Sequence, residues 1–305
     1  MAPSSRIAAL ILVLALSSLF ARDAGAAAGE TGFAFLKLGV GARPMGMGSA
    51  YVALVDDPTA TYWNPAGLAS VTGTQITAMH NEWIQDFRQE YAAVGTKLGP
   101  GVVGFSFAGF YTSELEERSD TGVLTGHFGF NDVAMTGAYG LNVARGVDLG
   151  GAIRYLREMI ADEDATTVTF DFGGKYRVAD TGFSLGAAVQ NLGGDPTLVQ
   201  EKIPLPTIVR AGAAFSHAIP SVQGKGTLTA EVRKARAEDA RFHVGGEFDY
   251  KDRVALRVGG KFGYDEEDIS FGLGLTQNRI RFDYALVPLS SDLGTTHFFS
   301  LSARL

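Results

Sequence analysis

Residues 279–286 read Arg279, Ile280, Arg281, Phe282, Asp283, Tyr284, Ala285 and Leu286, so charged and apolar side chains alternate. A β-strand sends successive side chains to opposite faces, which puts the three charges on one face and the apolar residues on the other. The same pattern sets Arg241, His243, Glu247 and Asp249 against Phe242, Val244, Phe248 and Tyr250. It sets Arg253, Arg257 and Lys261 against Val254, Leu256, Val258 and Phe262, and Asp171, Lys175 and Arg177 against Phe170, Phe172 and Tyr176. Arg154, Arg210, Glu231 and Arg233 fall on the charged face of their own segments. Such a face can do two things. It can filter an anionic substrate such as a carboxylate, or it can form paired ladders that hold a narrow barrel and its contents together. The interspersed Asp and Glu favour pairing.

Catalytic chemistry finds no constellation. His80, His127, His217, His243 and His297 are scattered without metal-ligand spacing. There is no Gly-x-Ser-x-Gly elbow and no phosphate-binding loop. The acidic runs 162–164 and 265–268 lie in turns and could touch Ca²⁺, but charged turns are ordinarily solvated. The chain has no cysteine, which excludes disulfides, thiolate metal sites and a lipid-modified N-terminal Cys. A net charge of −7 argues against a nucleic-acid partner. The expectation is a protein that is not an enzyme and carries no cofactor.

The elements that would carry these faces are strands. A basic start ending at Arg6, an uncharged stretch from Ile7 to Phe20 and the small residues Ala24-Gly25-Ala26 read as a signal peptide over residues 1–26. No later stretch approaches the length of a helical membrane span. From Thr72 about fourteen alternating segments follow. Many reach the 9–11 residues that a tilted membrane strand needs. Short joins such as 251–253 and 277–279 are interspersed with long ones at 113–129, 159–165, 193–205, 235–240 and 289–295. The last segment runs to the C-terminus, where it can close against the first. The expected fold is all-β: a transmembrane antiparallel β-barrel over residues 71–305. A soluble sandwich is the competing reading.

Residues 27–70 differ. Gly39, Gly41, Gly46 and Gly48 punctuate a stretch of small residues. Residues 49–54 predict a short helix, Asp56-Asp57-Pro58 a second helix start, and Asn64-Pro65-Ala66 a turn or a third. The run LGVGARPMGMGSAYVALVDDPTATYWNPAGL over residues 38–68 closely resembles the opening of the PorV/PorQ family of outer-membrane proteins. It is more remotely similar to the FadL family of fatty-acid channels. Residues 187–194 and 292–297 look like further family segments. The resemblance implies a small N-terminal hatch inside a fourteen-stranded barrel, with Asp56, Asp57, Asn64, Pro65 and Ala66 marking the hatch motif. Asn64-Pro65 would be a hinge or seal, or simply a capped turn. The C-terminal Leu305 departs from the aromatic residue that usually ends such barrels.

Two functions stay open. One is a plugged channel in the Gram-negative outer membrane, bathed in lipid and passing small hydrophobic or amphipathic molecules. Its lumen would be lined by Arg154, Arg241, Glu247, Arg253, Arg257, Lys261, Arg279, Arg281 and Asp283. The other is a non-transporting accessory of a secretion system, which would bind a secreted or envelope protein through loops such as 113–129.

Overall fold

The alternating segments pair with their sequence neighbours because each has one apolar and one polar face, and only closure leaves no backbone edge unpaired. The computed structural model describes residues 31–198, 200–265, 267–290 and 293–305. The signal peptide expected over residues 1–26 lies outside them. The strands are β1 (Thr74–Glu82), β2 (Arg88–Leu98), β3 (Gly101–Arg118), β4 (Leu124–Ala144), β5 (Val147–Ile160), β6 (Glu163–Arg177), β7 (Phe183–Gly193), β8 (Thr197–Leu198) and β9 (Glu201–Lys202). They continue with β10 (Ile208–Ile219), β11 (Gly224–Ala235), β12 (Arg241–Tyr250), β13 (Val254–Phe262), β14 (Ile269–Gln277), β15 (Ile280–Pro288) and β16 (Thr295–Arg304). All except the small β8–β9 hairpin form one closed antiparallel barrel of fourteen strands. Closure runs through β1 and β16, in register from Gln75 opposite Arg304 to Glu82 opposite His297.

The faces follow the alternation. In β13, Ala255, Arg257, Gly259 and Lys261 are buried in the interior, while Leu256, Val258 and Phe262 are exposed outside. Phe242, Phe248, Ile280 and Phe282 also point outward. One end of the barrel carries the C-terminus and tight joins such as 251–253, where Lys251 and Asp252 both have positive φ, as the central residues of a type I′ turn do. The other, the loop end, carries the longer connections.

The connections differ from expectation in two places. Residues 113–129 are not a loop. β3 and β4 run on past their neighbours, and Leu115 to Arg118 pair only with the segment from Leu124 to Phe128. β2 stops pairing at Tyr111 and β5 at Phe130. This arm extends beyond the wall by about six residues, or about 20 Å. Likewise β5 and β6 approach to a join of two residues, 161–162, so 159–165 is mostly strand.

Residues 31–71 pack inside the barrel, and Thr72 and Gly73 are exposed at its turn end. Ala42–Met45 and Ala60–Trp63 each form one α-helical turn, and Ala34–Lys37 and Pro65–Ser70 are 3₁₀ helices. The helix expected over 49–54 is replaced by turns. Gly48 and Ser49 both have φ 63°, in the left-handed region, so no helix starts there, and Glu231 accepts the Tyr51 and Val52 amides. Val40, Met45, Tyr51, Val52, Trp63 and Leu68 are buried and form the main apolar core together with wall residues such as Met79, Tyr91 and Phe298.

Candidate functional site

The wall makes room for the hatch by omitting side chains. Gly95 and Gly104 are direct partners across β2 and β3. Gly140, Gly150 and Gly173 run in line across β4, β5 and β6. Gly186 faces Gly212 across β7 and β10, and Gly245 faces Gly259 across β12 and β13. A Cβ would lie 2.7 Å from Thr61 at Gly104, 2.3 Å from Pro65 at Gly150 and 2.0 Å from Asn64 at Gly173. It would lie 2.4 Å from Val52 at Gly186 and 2.5 Å from Met47 at Gly245. Only glycine permits so close an approach.

Around this girdle the charges bind the hatch. Arg43 grips Glu247 through both carboxylate oxygens, each at 2.9 Å. Arg257 reaches Glu247 at 2.7 Å and Asp283 at 2.8 Å, and Arg281 lies 3.0 Å from Asp283. Glu247, Arg257, Arg281 and Asp283 thus form one network on the wall, and the hatch residue Arg43, which the sequence does not single out, joins it through Glu247. Arg154 is buried against Asp171 at 2.6 Å and bonds Asn191 and, at 3.4 Å, the Thr61 carbonyl. Arg210 pairs with Glu231 at 2.7 Å and lies over the Trp63 ring. Lys261 pairs with Glu267. Arg241 lies 3.7 Å from Glu238 and over the Tyr264 ring at the loop end.

Two expected lumen residues lie at the turn end. Arg253 and Arg279 have the inward parity, but each sits in a tight join and is exposed; Arg279 borders the open vestibule, and neither bonds Asp56, Asp57 or the hatch carbonyls. Those carbonyls are taken by Lys175, which donates to Val55 at 2.6 Å, and by Arg154.

The hatch motif is a set of internal ties. Asn64 is buried; its amide nitrogen donates to the Val52 carbonyl at 2.9 Å and to Gly174 of β6 at 3.2 Å, and its oxygen accepts from the Ala66 amide. Pro65 opens the 3₁₀ helix, where its missing N–H costs nothing. Asp56 pairs with Arg43 at 2.9 Å. Burial would raise the Asp56 carboxyl, but Arg43 and Lys175 outweigh it and hold the group below its ordinary value. Asp57 accepts from the Thr59 amide and the Tyr51 hydroxyl, and burial together with the Asp56 charge pushes its carboxyl up.

The hatch divides the lumen unevenly. On the turn side lies an open vestibule of about 680 Å³, bordered by Arg43, Asp56, Asp57, Arg279 and Arg281. Two cavities between hatch and wall measure about 30 and 10 Å³. A hollow of about 900 Å³ lies outside the barrel, where Ala78, Ala92 and Gly137 leave a dent between Phe105, Met135 and Leu301. It belongs to the apolar exterior and not to the lumen.

The model of an uncharacterised protein family, UPF0164, matches residues 13–190. The chain belongs to that family. No curated protein matches this UPF0164 member in sequence. Solved structures share its fold. CymD, a monoaromatic hydrocarbon channel, superposes with a TM-score of 0.64 at 11% identity, covering 88% of this chain and 98% of that one. The toluene transporter TodX of Pseudomonas putida gives 0.56 at 12% identity, covering 87% and 96%. A FadL homologue of Pseudomonas aeruginosa gives 0.54 at 12%, covering 87% and 97%. At these identities the likeness establishes the barrel fold, and chemistry has to be argued from this UPF0164 chain's own residues.

Proposed function

We propose that the chain is an outer-membrane barrel of the PorV/PorQ type, delivered by a cleaved signal peptide, and that it acts as a plugged channel for small hydrophobic or amphipathic molecules. Its apolar exterior suits lipid, and its turn end faces the periplasm as short turns do in such barrels. The observation that carries the reading is the uneven division of the lumen. An open vestibule of about 680 Å³ ends at a hatch flanked by gaps of about 30 and 10 Å³. A molecule can pass only if the hatch shifts. The hatch is held by hydrogen bonds and ion pairs rather than by covalent ties, and such ties can be exchanged. Single-channel recording in planar bilayers tests this. Deleting residues 29–68, or replacing Asn64-Pro65 by Gly-Gly, should raise conductance while the barrel still assembles. Conductance that stays near zero would sink the channel.

One observation favours a second reading, an accessory subunit that binds a secreted or envelope protein. The β3–β4 arm projects past the rim, and among the described residues no third strand pairs along Leu115–Arg118 or Leu124–Phe128; such edges invite other chains. Removing residues 114–127 should then abolish partner binding and leave conductance unchanged.

A further inference from the structure

We propose that the loop end of the lumen holds a small free oxyanion, of the size of formate or nitrate, clasped between the hatch and the wall.

The argument begins with charge. Glu238, in the connection between β11 and β12, is shared by three cations: Lys37 of the hatch at 3.0 Å, Arg233 of β11 at 3.0 Å and Arg241 of β12 at 3.7 Å. The neighbouring cations have carboxylates of their own, Arg210 with Glu231 and Lys261 with Glu267. Within these ion pairs five cations therefore meet three carboxylates. Arg241 is partly compensated by the Tyr264 ring, 4.1 Å beneath its guanidinium. Arg233 is not. It is 3% exposed and gives Nη1 to Glu238, while its Nε and Nη2 have no hydrogen-bond partner. Those two N–H groups form one edge of the guanidinium, the fork that receives a planar oxyanion through two parallel bonds.

A space adjoins Arg233. The cavity of about 30 Å³ is lined by Arg233, Lys37, His243, Lys261, Trp63 and the carboxylate residue Glu267, which pairs with Lys261. A cavity needs about 10–15 Å³ to hold one water, so this one suits a few heavy atoms and has no room for an alkyl tail. A water would satisfy the donors but leave buried Arg233 with a shared carboxylate as its only counter-charge, and an incompletely paired buried charge is costly. An oxyanion answers both. It would join Lys37 of the hatch to Arg233 of the wall, so its binding stabilises the seated hatch. This holds whether the barrel transports or not.

The test uses the full-length protein in detergent micelles. Formate is titrated against a bulky sulfonate at constant ionic strength, and hydrogen exchange of the Lys37 and Leu38 amides is followed. Protection should rise saturably with formate. Arg233→Gln should weaken the apparent formate affinity by about tenfold or more, the scale of a charge-assisted pair of hydrogen bonds. Arg279→Gln, at the far end, should leave it unchanged. Glu238→Gln adds one more uncompensated charge and should tighten binding, which keeps the test decisive if Arg233→Gln fails to assemble. Absence of saturation in the wild type, or an equal response in Arg233→Gln, overturns the site. Affinity that climbs with chain length from formate to octanoate also overturns it, because the cavity cannot take a tail.

Discussion

Gly259 of β13 and Gly48 of the hatch touch backbone to backbone: a Cβ on Gly259 would lie 1.9 Å from the Gly48 amide nitrogen. That nitrogen also donates to the Ser270 hydroxyl on the next strand, at 3.1 Å. The hatch is therefore seated against bare wall, and one methyl group is enough to unseat it.

Gly259→Ala and Gly173→Ala should each destabilise the seated hatch by about 1–3 kcal/mol, the usual cost of overpacking, and should raise open-channel noise in bilayers. Gly246→Ala faces outward, where the nearest atoms lie 3.7 Å away on flexible side chains, and should be silent. Equal behaviour of the inward and outward substitutions would remove the girdle's role.

Asp132 and Glu158 are direct partners across β4 and β5, both buried. Glu158 accepts the Phe33 amide at 2.7 Å, whereas neither oxygen of Asp132 has a partner. Arg157, next to Glu158, is half-exposed and pairs with Asp164 instead. Asp132→Asn replaces a buried carboxyl that has no partner by a permanently neutral amide and should raise resistance to guanidinium. Glu158→Ala strands the Phe33 amide and should lower stability by about 1–3 kcal/mol. A destabilising Asp132→Asn would mean that the Asp132 carboxyl has a use beyond this pair.

Glu238 lies outside the spanning strands. Burial alone would raise its carboxyl, but Arg233, and then Lys37, hold it below the ordinary glutamate value. A carboxyl depressed in the folded state contributes stability that is full above its unfolded value, about 4.3, and is lost as pH falls through the lower folded value. Hydrogen exchange at Lys37 should therefore be constant at neutral pH and quicken in acid. Glu238→Gln should remove this acid-dependent component and leave any acid response carried by other carboxyls. An unchanged pH profile in that variant would dismiss the tie.

On the exterior, Val258 lies mid-strand while Ile280 opens β15 at the turn end, and both are exposed. Val258→Arg should cost about 2–4 kcal/mol in lipid refolding, and Ile280→Arg about 0–1, if the belt faces the bilayer. Similar costs at both depths would argue against a membrane-facing belt.

The barrel was legible because its wall is amphipathic strand by strand: Ile280, Phe282, Arg281 and Asp283 announce both faces within four residues. The arm escaped notice because the residues from Glu116 to Arg118 leave both faces polar, so nothing marks a strand there, and its pairing comes from β4 alone. Arg253 and Arg279 share the parity of Arg257, but parity cannot reveal that a strand has ended: Arg253 is exposed in a turn, and Arg279 reaches only the rim of the vestibule. The girdle was hidden for another reason. In a linear reading Gly150 or Gly259 signals a turn or a weak strand, and its meaning appears only when the hatch backbone occupies the space.

The wall is in this sense a cast, in which missing side chains record the shape of what lies within. Hatch and barrel are then a fitted pair. A hatch grafted from a relative with glycines at other registers should fail to seat even if every charged residue were kept. Conversely, in any barrel of this architecture, the glycines at inward parity should reveal from sequence alone where an internal plug touches down, and Leu or Phe at those registers should mark a lumen shaped for something else.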